Sequence, residues 1–446
     1  MSSKIVFWLG AAFMAALAAF VVSRADLLLA GTSRAMLFLG GPLVGMALCL
    51  AALRLPETAR SSLALVLVSA VVATYGFEGY LVIRQLQARA ESGRVEGGDT
   101  RTKYEVARDL RAAGRIAYPA VFPAYLLQTG FDGKLRSPLV VNGREVLPLG
   151  GVAGVETVLC NEAGPYITYV SDRYGFNNPD SAWDRPTRIA TVGDSFTQGV
   201  CVEPEATYSR LLGALNLGSS GAGPLIELAA LKEYLPSRKP AVVLWFFYEG
   251  NDLPGDLAIE KKSPLLMAYL DGREQGLSAH PGEADAALRH YIDTLIAAEP
   301  NRVETTAGPL QDAISFVGLA RLRAALRLPN ATGESDYALF ARVLDTAKDR
   351  VASWSGRLVL VYIPTECGIL GGCDRATETL RARVRDIARD VGVELIDLTP
   401  ILAGYSDRPA LFTRRTGGHF GTVGNRVVAD TVRARLQADG FNVTGN

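Results

Sequence analysis

Residues 188–197, with the sequence RIATVGDSFT, form the stretch that decides the fold. Its first half, Arg188–Val192, is a short run of mainly aliphatic and β-branched residues. Its second half, Gly193–Thr197, is a glycine followed by polar residues that can begin a helix. A short strand, a tight turn and a helix start are typical of folds in which parallel strands alternate with helices. We therefore expect Ser195 at the carboxyl end of a strand, where open α/β sheets hold their functional residues.

The same alternation of strands and helices continues to the end of the chain. The candidate strands are Arg188–Val192, Ala214–Leu217, Ala241–Phe247, Arg357–Ile363 and Val393–Leu398, and the candidate helices are Pro224–Leu235, Ala376–Val391 and Thr422–Gln437. This pattern predicts a domain over residues 187–440 with a central parallel sheet covered on both faces. Residues 253–355 form an insertion with helical periodicity over Ala284–Ala298, Leu310–Leu328 and Tyr337–Trp354.

Polar residues follow the expected strand ends in four places. These places are Gly193–Thr197, Asn216–Gly221, Glu249–Asp252 and Gly418–Phe420, the last of them just before the final helix. Each has an ordinary structural explanation, such as a serine that caps a helix or an Asx turn that leaves a strand. Together, at one edge of a parallel sheet, they predict a functional site.

The four blocks resemble those of the SGNH/GDSL hydrolase superfamily. In Gly193–Thr197, Ser195 matches the nucleophile of the first block; Gly221 and Asn251 match the glycine and asparagine of the second and third, and His419 the histidine of the fifth. The resemblance implies a three-layer α/β/α, flavodoxin-like fold. It also implies a serine esterase or acyltransferase that works through an acyl-serine intermediate.

The chemistry of the residues agrees with this reading. A serine hydroxyl is a weak nucleophile, so Ser195 needs His419 within hydrogen-bond reach as its base. The N–H groups of Ser195 and Gly221 and the amide of Asn251 are the expected donors to the oxyanion. Asp194 and Asp252 are expected to support the site.

The histidine block departs from the superfamily pattern. An aspartate usually lies two or three positions before the histidine, and here those positions hold Gly417 and Thr416. Three explanations remain open: a backbone carbonyl orients His419, an acid comes from elsewhere in the chain, or the domain has lost catalysis and only binds carbohydrate.

Three apolar runs occupy the first part of the chain. They are Ile5–Ser23, Ala35–Leu53 and Ser61–Phe77, the last continuing through Gly79–Ile83. Because a membrane core of about 30 Å needs about 20 apolar helical residues, residues 1–84 are expected to form an anchor of three transmembrane helices. Buried core helices are the alternative reading, and the first run alone could be a signal peptide.

Two further segments precede the main domain. Residues 85–101 are polar and glycine-containing, which predicts a linker, and residues 102–186 read as a lead-in α+β segment packed on the main domain. With three spans the amino terminus and the main domain lie on opposite sides of the membrane. By the positive-inside rule, the arginines that flank the apolar runs weakly favour a cytoplasmic main domain.

The cysteines favour an external domain. Cys49 lies in the second apolar run, and the remaining Cys160, Cys201, Cys367 and Cys373 suit two disulfides, Cys160–Cys201 and Cys367–Cys373. Four unrelated buried thiols are the alternative. We expect a multi-pass protein of a bacterial inner membrane with its catalytic domain in the periplasm or an equivalent space.

The overall composition narrows the partners. Lys+Arg and Asp+Glu both number 46, so no net charge attracts nucleic acid. No metal or cofactor motif is evident. The expected substrate is an O-acyl ester of an envelope carbohydrate or a lipid-linked glycan. Hydrolysis and transfer are not separated, and a transferase would need a membrane partner that donates acyl groups. The alternatives are a non-catalytic carbohydrate-binding protein and a lysophospholipase-type esterase.

Overall fold

The computed structural model describes residues 3–23, 39–92, 99–130, 132–162, 164–298, 316–319, 321–322, 333–415 and 417–441. The chain divides into two compact units. The first consists of Met1–Leu86 with Pro309–Arg327, and the second of Gln87–Gly308 with Leu328–Asn446. The described residues 316–319 and 321–322, expected within the insertion of the main domain, thus group with the first unit.

The first unit contains helices α1 (Ser3–Ser23), α2 (Gly41–Ala52) and α3 (Glu57–Ser92). Two segments, Ser3–Val22 and Glu57–Arg84, are long and apolar enough to cross a membrane. Helix α2 has 12 residues, which is short of the length that a span requires. The sequence predicts three full spans, and the described residues contain two helices of sufficient length. Residues 35–38, where the second span is expected to begin, lie outside the described residues.

Helix α3 also extends further than the sequence suggested. Residues 85–92, expected to begin the linker, continue the helix because QLQARAES contains mostly good helix formers and no glycine before Gly93. Within the same unit the carboxylate of Glu78 is fully buried and accepts the backbone N–H groups of Arg321 (3.0 Å) and Leu322 (2.7 Å). Of the expected helix Leu310–Leu328, only residues 316–319 and 321–322 are described.

The lead-in segment begins with helix α4 (Lys103–Ala112), which starts in a capping box formed by Thr102 and Glu105. The short helix α5 (Pro123–Leu126) follows. The strands of this segment are β1 (Ala117–Pro119), β2 (Gln128–Thr129), β3 (Leu135–Arg136), β4 (Val140–Val141), β5 (Arg144–Glu145), β6 (Glu156–Cys160) and β7 (Ile167–Val170). Strand β6 pairs with β1 in parallel and with β7 antiparallel.

The central sheet is parallel throughout. Its strands are β8 (Ile189–Val192), β9 (Leu215–Asn216), β10 (Val242–Tyr248), β11 (Arg357–Ile363) and β12 (Glu394–Asp397), in the spatial order β9-β8-β10-β11-β12. The order of the strands along the chain reverses beside β8, because β9 lies on one side of it and β10 on the other. Doubly wound sheets bind their ligands at such a switch point.

Helices cover both faces of this sheet. The helices are α6 (Ser195–Gln198), α7 (Tyr208–Leu211), α8 (Pro224–Tyr234), α9 (Ala258–Glu260), α10 (Pro264–Met267), α11 (Pro281–Ala298), α12 (Glu334–Ala352), α13 (Glu366–Leu370), α14 (Arg375–Val391), α15 (Thr399–Ala403) and α16 (Thr422–Ala438). A final hairpin pairs β13 (Phe412–Arg414) with β14 (Gly417–Phe420).

Strand β10 shows why the sheet is buried on both sides. Its side chains alternate between two hydrophobic cores, with Val243, Trp245 and Phe247 in one and Val242, Leu244 and Phe246 in the other. Helices α8, α12 and α14 contribute to the first core and α16 to the second. The continuous apolar run of β10 is typical of a strand in a parallel sheet with both faces covered.

Candidate active site

Ser195 is presented by a tight turn between β8 and α6. A side chain at Gly193 would place its Cβ 2.1 Å from Thr197 Oγ1, so only glycine fits there. The carboxylate of Asp194 caps α6 by accepting the N–H of Phe196 at 2.9 Å. The turn therefore fixes Ser195 as the first residue of the helix, at the carboxyl edge of the sheet.

His419 lies within hydrogen-bond distance of Ser195. Its Nε2 is 2.9 Å from Ser195 Oγ, and the ring of Phe196 packs against the imidazole with centroids 5.1 Å apart. His419 belongs to β14, so the short final hairpin carries it to the end of β8. The sequence predicted this pairing from the blocks alone, without a distance.

The acid beside His419 is Glu162. Its Oε1 lies 3.0 Å from His419 Nδ1, and its Oε2 accepts a hydrogen bond from Thr413 Oγ1 at 3.1 Å. Of the three explanations for the missing aspartate, the geometry supports an acid from elsewhere in the chain. Sequence reasoning missed Glu162 because it lies in the lead-in segment, 257 positions before the histidine.

A signal for Glu162 was present in the sequence. It lies two positions after Cys160, and Cys201 lies six positions after Ser195. Pairing those cysteines brings the residues around Glu162 close to the residues around Ser195. Among the acidic residues of the lead-in segment, Glu162 is nearest in sequence to Cys160, so this disulfide brings it close to Ser195.

The charges of the pair reinforce each other. Burial acts to raise the pKa of Glu162, but its hydrogen bond to His419, the charge of that ring and the hydrogen bond from Thr413 lower the pKa to about 2. Burial acts to lower the pKa of His419, and the hydrogen bond and charge of Glu162 outweigh it, so that pKa is raised. Glu162 is therefore ionised at neutral pH and stabilises a protonated imidazole.

Gly221 lies in a turn that is hydrogen-bonded to the segment of Ser195 and helix α6. The backbone N–H of Ser219 donates to Gly193 O at 3.1 Å, and that of Ser220 donates to Gln198 Oε1 at 2.9 Å. Gly221 has φ of +69°, a conformation that favours glycine. Within the described part of the chain, the N–H groups of Ser195 and Gly221 donate to no acceptor.

Asn251 follows β10 at the same edge of the sheet. Its backbone carbonyl accepts the N–H groups of Gly255 and Asp256, which fixes the turn, and its side chain interacts with the Asp194 carboxylate.

Asp252 is fully buried and accepts the N–H of Tyr248 at 2.8 Å. Burial raises the pKa of Asp194 to about 6 and that of Asp252 well above its usual range. Both aspartates thus hold backbone turns, whereas the contact to His419 Nδ1 comes from Glu162.

Both expected cysteine pairs lie at bonding distance in the structure. They are Cys160–Cys201 and Cys367–Cys373, and Cys49 of α2 is a free thiol. Ligand atoms of Cys160, Glu162 and Cys201 lie within 4.8 Å of one another. With the two sulfurs joined in a disulfide, no thiolate is left there to hold a metal ion.

Structural neighbours of the chain are distant. It is similar to the lipase/acylhydrolase from Enterococcus faecalis, with 14% sequence identity, a TM-score of 0.32 and coverage of 57% of this chain and 96% of that chain. A putative lipolytic protein of the G-D-S-L family from Desulfitobacterium hafniense DCB-2 gives 12% identity, a TM-score of 0.31 and coverage of 56% and 98%. A psychrotrophic esterase from Pseudoalteromonas sp. gives 14% identity, a TM-score of 0.30 and coverage of 57% and 98%.

No protein-family model matches the chain, and no curated protein matches its sequence. By their names the structural neighbours are lipolytic enzymes and esterases, the class that the four sequence blocks resemble. Identities and TM-scores this low carry no assignment of activity. The function proposed below rests on the side chains of the site.

Proposed function

We propose that this chain is a serine esterase or O-acyltransferase in which Ser195 is the nucleophile, His419 its base and Glu162 the acid that orients the base. The observation that supports the proposal is the continuous contact from Glu162 Oε1 through both ring nitrogens of His419 to Ser195 Oγ, with distances of 3.0 and 2.9 Å. A domain that had lost catalysis and only bound a ligand would not need a carboxylate, an imidazole and a hydroxyl in consecutive contact.

The proposed reaction proceeds in two halves. Ser195 Oγ attacks the carbonyl carbon of an O-acyl ester while His419 Nε2 takes the hydroxyl proton. The tetrahedral oxyanion accepts hydrogen bonds from the N–H groups of Ser195 and Gly221 and from the Asn251 amide. His419 then protonates the leaving alcohol, and an acyl-serine ester remains. In the second half His419 deprotonates water or a sugar hydroxyl, which releases the acyl group from Ser195.

Glu162 stays ionised through both halves. Its contact with Nδ1 selects the imidazole tautomer whose Nε2 is free to accept the serine proton. Its charge stabilises the imidazolium that forms during each attack. A pKa of about 2 keeps this carboxylate available at any pH at which the histidine can be neutral.

The proposed substrate is an acylated envelope carbohydrate or lipid-linked glycan. Two apolar helices long enough to cross a membrane favour a substrate at the cell envelope. Tyr125 adds support at the site, since its ring lies 3.6 Å from where a Cβ of Gly221 would stand and the residue is 59% exposed. A partly exposed aromatic ring beside an oxyanion donor offers a flat apolar surface to a substrate ring or acyl chain.

Turnover of a short-chain aryl ester tests this proposal. Purified protein in detergent should release the phenol, and an added sugar acceptor should distinguish hydrolysis, which yields free acid, from transfer, which yields an acylated sugar. The Ser195→Ala variant is the blank. Phenol release by the wild type no faster than by this variant contradicts the proposal and favours a carbohydrate-binding protein.

The oxyanion donors give a further prediction. Asn251→Ala should lower kcat by about 10²–10³ with little change in KM, because the amide serves the charge of the transition state. Asn142→Gly, in the turn between β4 and β5, is the matched control, because glycine removes the amide and still adopts the positive φ of +51° at this position. An effect confined to KM would assign Asn251 to ground-state binding and remove it from the oxyanion site.

A further inference from the structure

The Cys160–Cys201 disulfide joins the segment that carries Glu162 to the segment that follows Ser195. Cys160 ends β6 two positions before Glu162, and Cys201 follows the nucleophile helix. The two Cα atoms are 5.2 Å apart. The bond therefore ties the loop that carries Glu162 to the segment that carries Ser195.

The loop that carries Glu162 connects β6 to β7 and is hydrogen-bonded to the segment before α4, where Asn161 Nδ2 donates to Asp99 O at 2.8 Å and the N–H of Asp99 donates to Gly164 O at 3.0 Å. Strand β6 ends at Cys160 and β7 begins at Ile167, and their pairing is irregular between Val158 and Cys160. The backbone N–H of Glu162 points to the disulfide itself, 3.1 Å from Cys201 Sγ and 3.5 Å from Cys160 Sγ. Beyond the His419 contact, the carboxylate of Glu162 is held by the hydroxyl of Thr413.

The other end of the bond is held firmly. Cys201 is 5% exposed and adopts φ of +61°, a left-handed conformation that is rare for a residue other than glycine. Such a conformation persists where the surrounding structure determines it. Val200 and Cys201 pack with Ala120, Leu159 and Tyr169 in a small hydrophobic cluster. The disulfide thus joins a buried turn that follows the Ser195 helix to a loop whose other described ties are hydrogen bonds.

We propose that the Cys160–Cys201 disulfide is the positioning device for Glu162, so that the orientation of His419, and with it catalysis, depends on this bond. The proposal rests on the proposed function, in which Ser195 and His419 carry out the chemistry. Cys160 and Cys201 contact no reacting atom and act only through Glu162. An error of about 1 Å in a group of this kind can cost about 10² in rate.

The first test is the double variant Cys160→Ser with Cys201→Ser. Its kcat on an aryl ester should fall about 10²-fold with little change in KM, since the bond positions the acid and not the substrate. The pair Cys367→Ser with Cys373→Ser is the matched control, because it removes the other disulfide, whose cysteines lie outside the loop of Glu162 and the turn that follows Ser195. The control should keep kcat within about threefold of wild type.

A double-variant cycle separates positioning from general stability. If the bond acts through Glu162, removing it from the Glu162→Gln variant should lower kcat by less than about threefold relative to Glu162→Gln alone. The acid limb of the pH–rate profile should also move to lower pH in the disulfide variant, as in Glu162→Gln, because a displaced carboxylate no longer favours protonated His419. Equal losses of kcat in the wild-type and Glu162→Gln backgrounds would overturn the proposal.

Reduction of the folded protein covers the case in which the double variant does not fold. Cys367→Ser/Cys373→Ser protein is treated with dithiothreitol, which supplies two electrons and two protons and leaves Cys160 and Cys201 as thiols while the reagent becomes its cyclic disulfide. We expect activity to fall about 10²-fold while circular dichroism is unchanged, and to return on reoxidation. Full activity after complete reduction, checked by thiol counting, overturns the inference and leaves the proposed function intact. Failure of the proposed function would appear earlier, as turnover by the wild type equal to that by Ser195→Ala.

Discussion

Ser195→Ala should lower kcat on aryl esters by about 10⁵–10⁶, to the level set by binding and the oxyanion donors alone. The side chain is the proposed nucleophile, and no other hydroxyl in the described residues contacts His419 Nε2. His419→Ala should lose nearly as much, because a nucleophile and its base act as a unit. The measurement is kcat and KM for each variant on one ester, with circular dichroism to show that the fold is kept.

Two distant positions provide controls for these substitutions. Ser353→Ala changes an exposed serine at the end of α12, and His290→Ala changes an exposed histidine of α11. Both should keep wild-type kcat. Wild-type-like turnover by Ser195→Ala or His419→Ala would remove the assignment of the nucleophile or base.

Glu162→Ala should lower kcat by about 10³–10⁴, the scale on which serine proteases lose rate when the orienting acid is neutralised. The loss should fall on kcat with KM little changed, because Glu162 acts through His419 and not on the substrate. Glu162→Gln keeps the shape of the side chain and tests the charge. Glu203→Gln, an exposed position, is the matched control. Wild-type kcat in both Glu162 variants would leave His419 oriented by another group.

The pH dependence gives this prediction a sign. The raised pKa of His419 means that the wild type loses the neutral, active base as pH falls through that raised value. Removing the Glu162 charge removes the main interaction that favours the imidazolium, so the pKa of His419 should fall. The acid limb of kcat/KM in Glu162→Gln should therefore lie at lower pH than in the wild type. A limb that stays in place, or moves to higher pH, would contradict the contact between the two side chains.

The sheet could be anticipated from sequence because its strands are short, apolar and separated by helices. Arg357–Ile363 was placed with the observed bounds, and Ala241–Phe247 differs from β10 by one residue at each end. Strand β9 shrinks from Ala214–Leu217 to Leu215–Asn216, since edge positions pair on one side only. The hydrophobic pattern predicts which strands are buried, but it does not predict the residue at which the last backbone hydrogen bond of a strand forms.

The membrane segment and the acid show where sequence reasoning stopped. The run Ala35–Leu53 predicts a second span, of which the structure describes the helix Gly41–Ala52, while residues 35–38 lie outside the described residues. Glu162 has no local pattern, because its role depends on a contact between residues 257 positions apart. Ser195, Gly221, Asn251 and His419 were predicted from blocks at strand ends, and their roles stay predictions until they are tested.

The most direct test of the central claim is covalent labelling of Ser195 by a fluorophosphonate probe, followed by peptide mapping. An activated serine attacks the phosphorus and becomes labelled, whereas an ordinary serine hydroxyl does not. We predict rapid labelling of the wild type at Ser195 alone, labelling slowed by about 10³ or more in His419→Ala and Glu162→Ala, and none in Ser195→Ala. No labelling of folded wild-type protein would contradict the proposed role of Ser195. Labelling of Ser195 at equal rates in the wild type, His419→Ala and Glu162→Ala would contradict the proposed roles of the base and the acid.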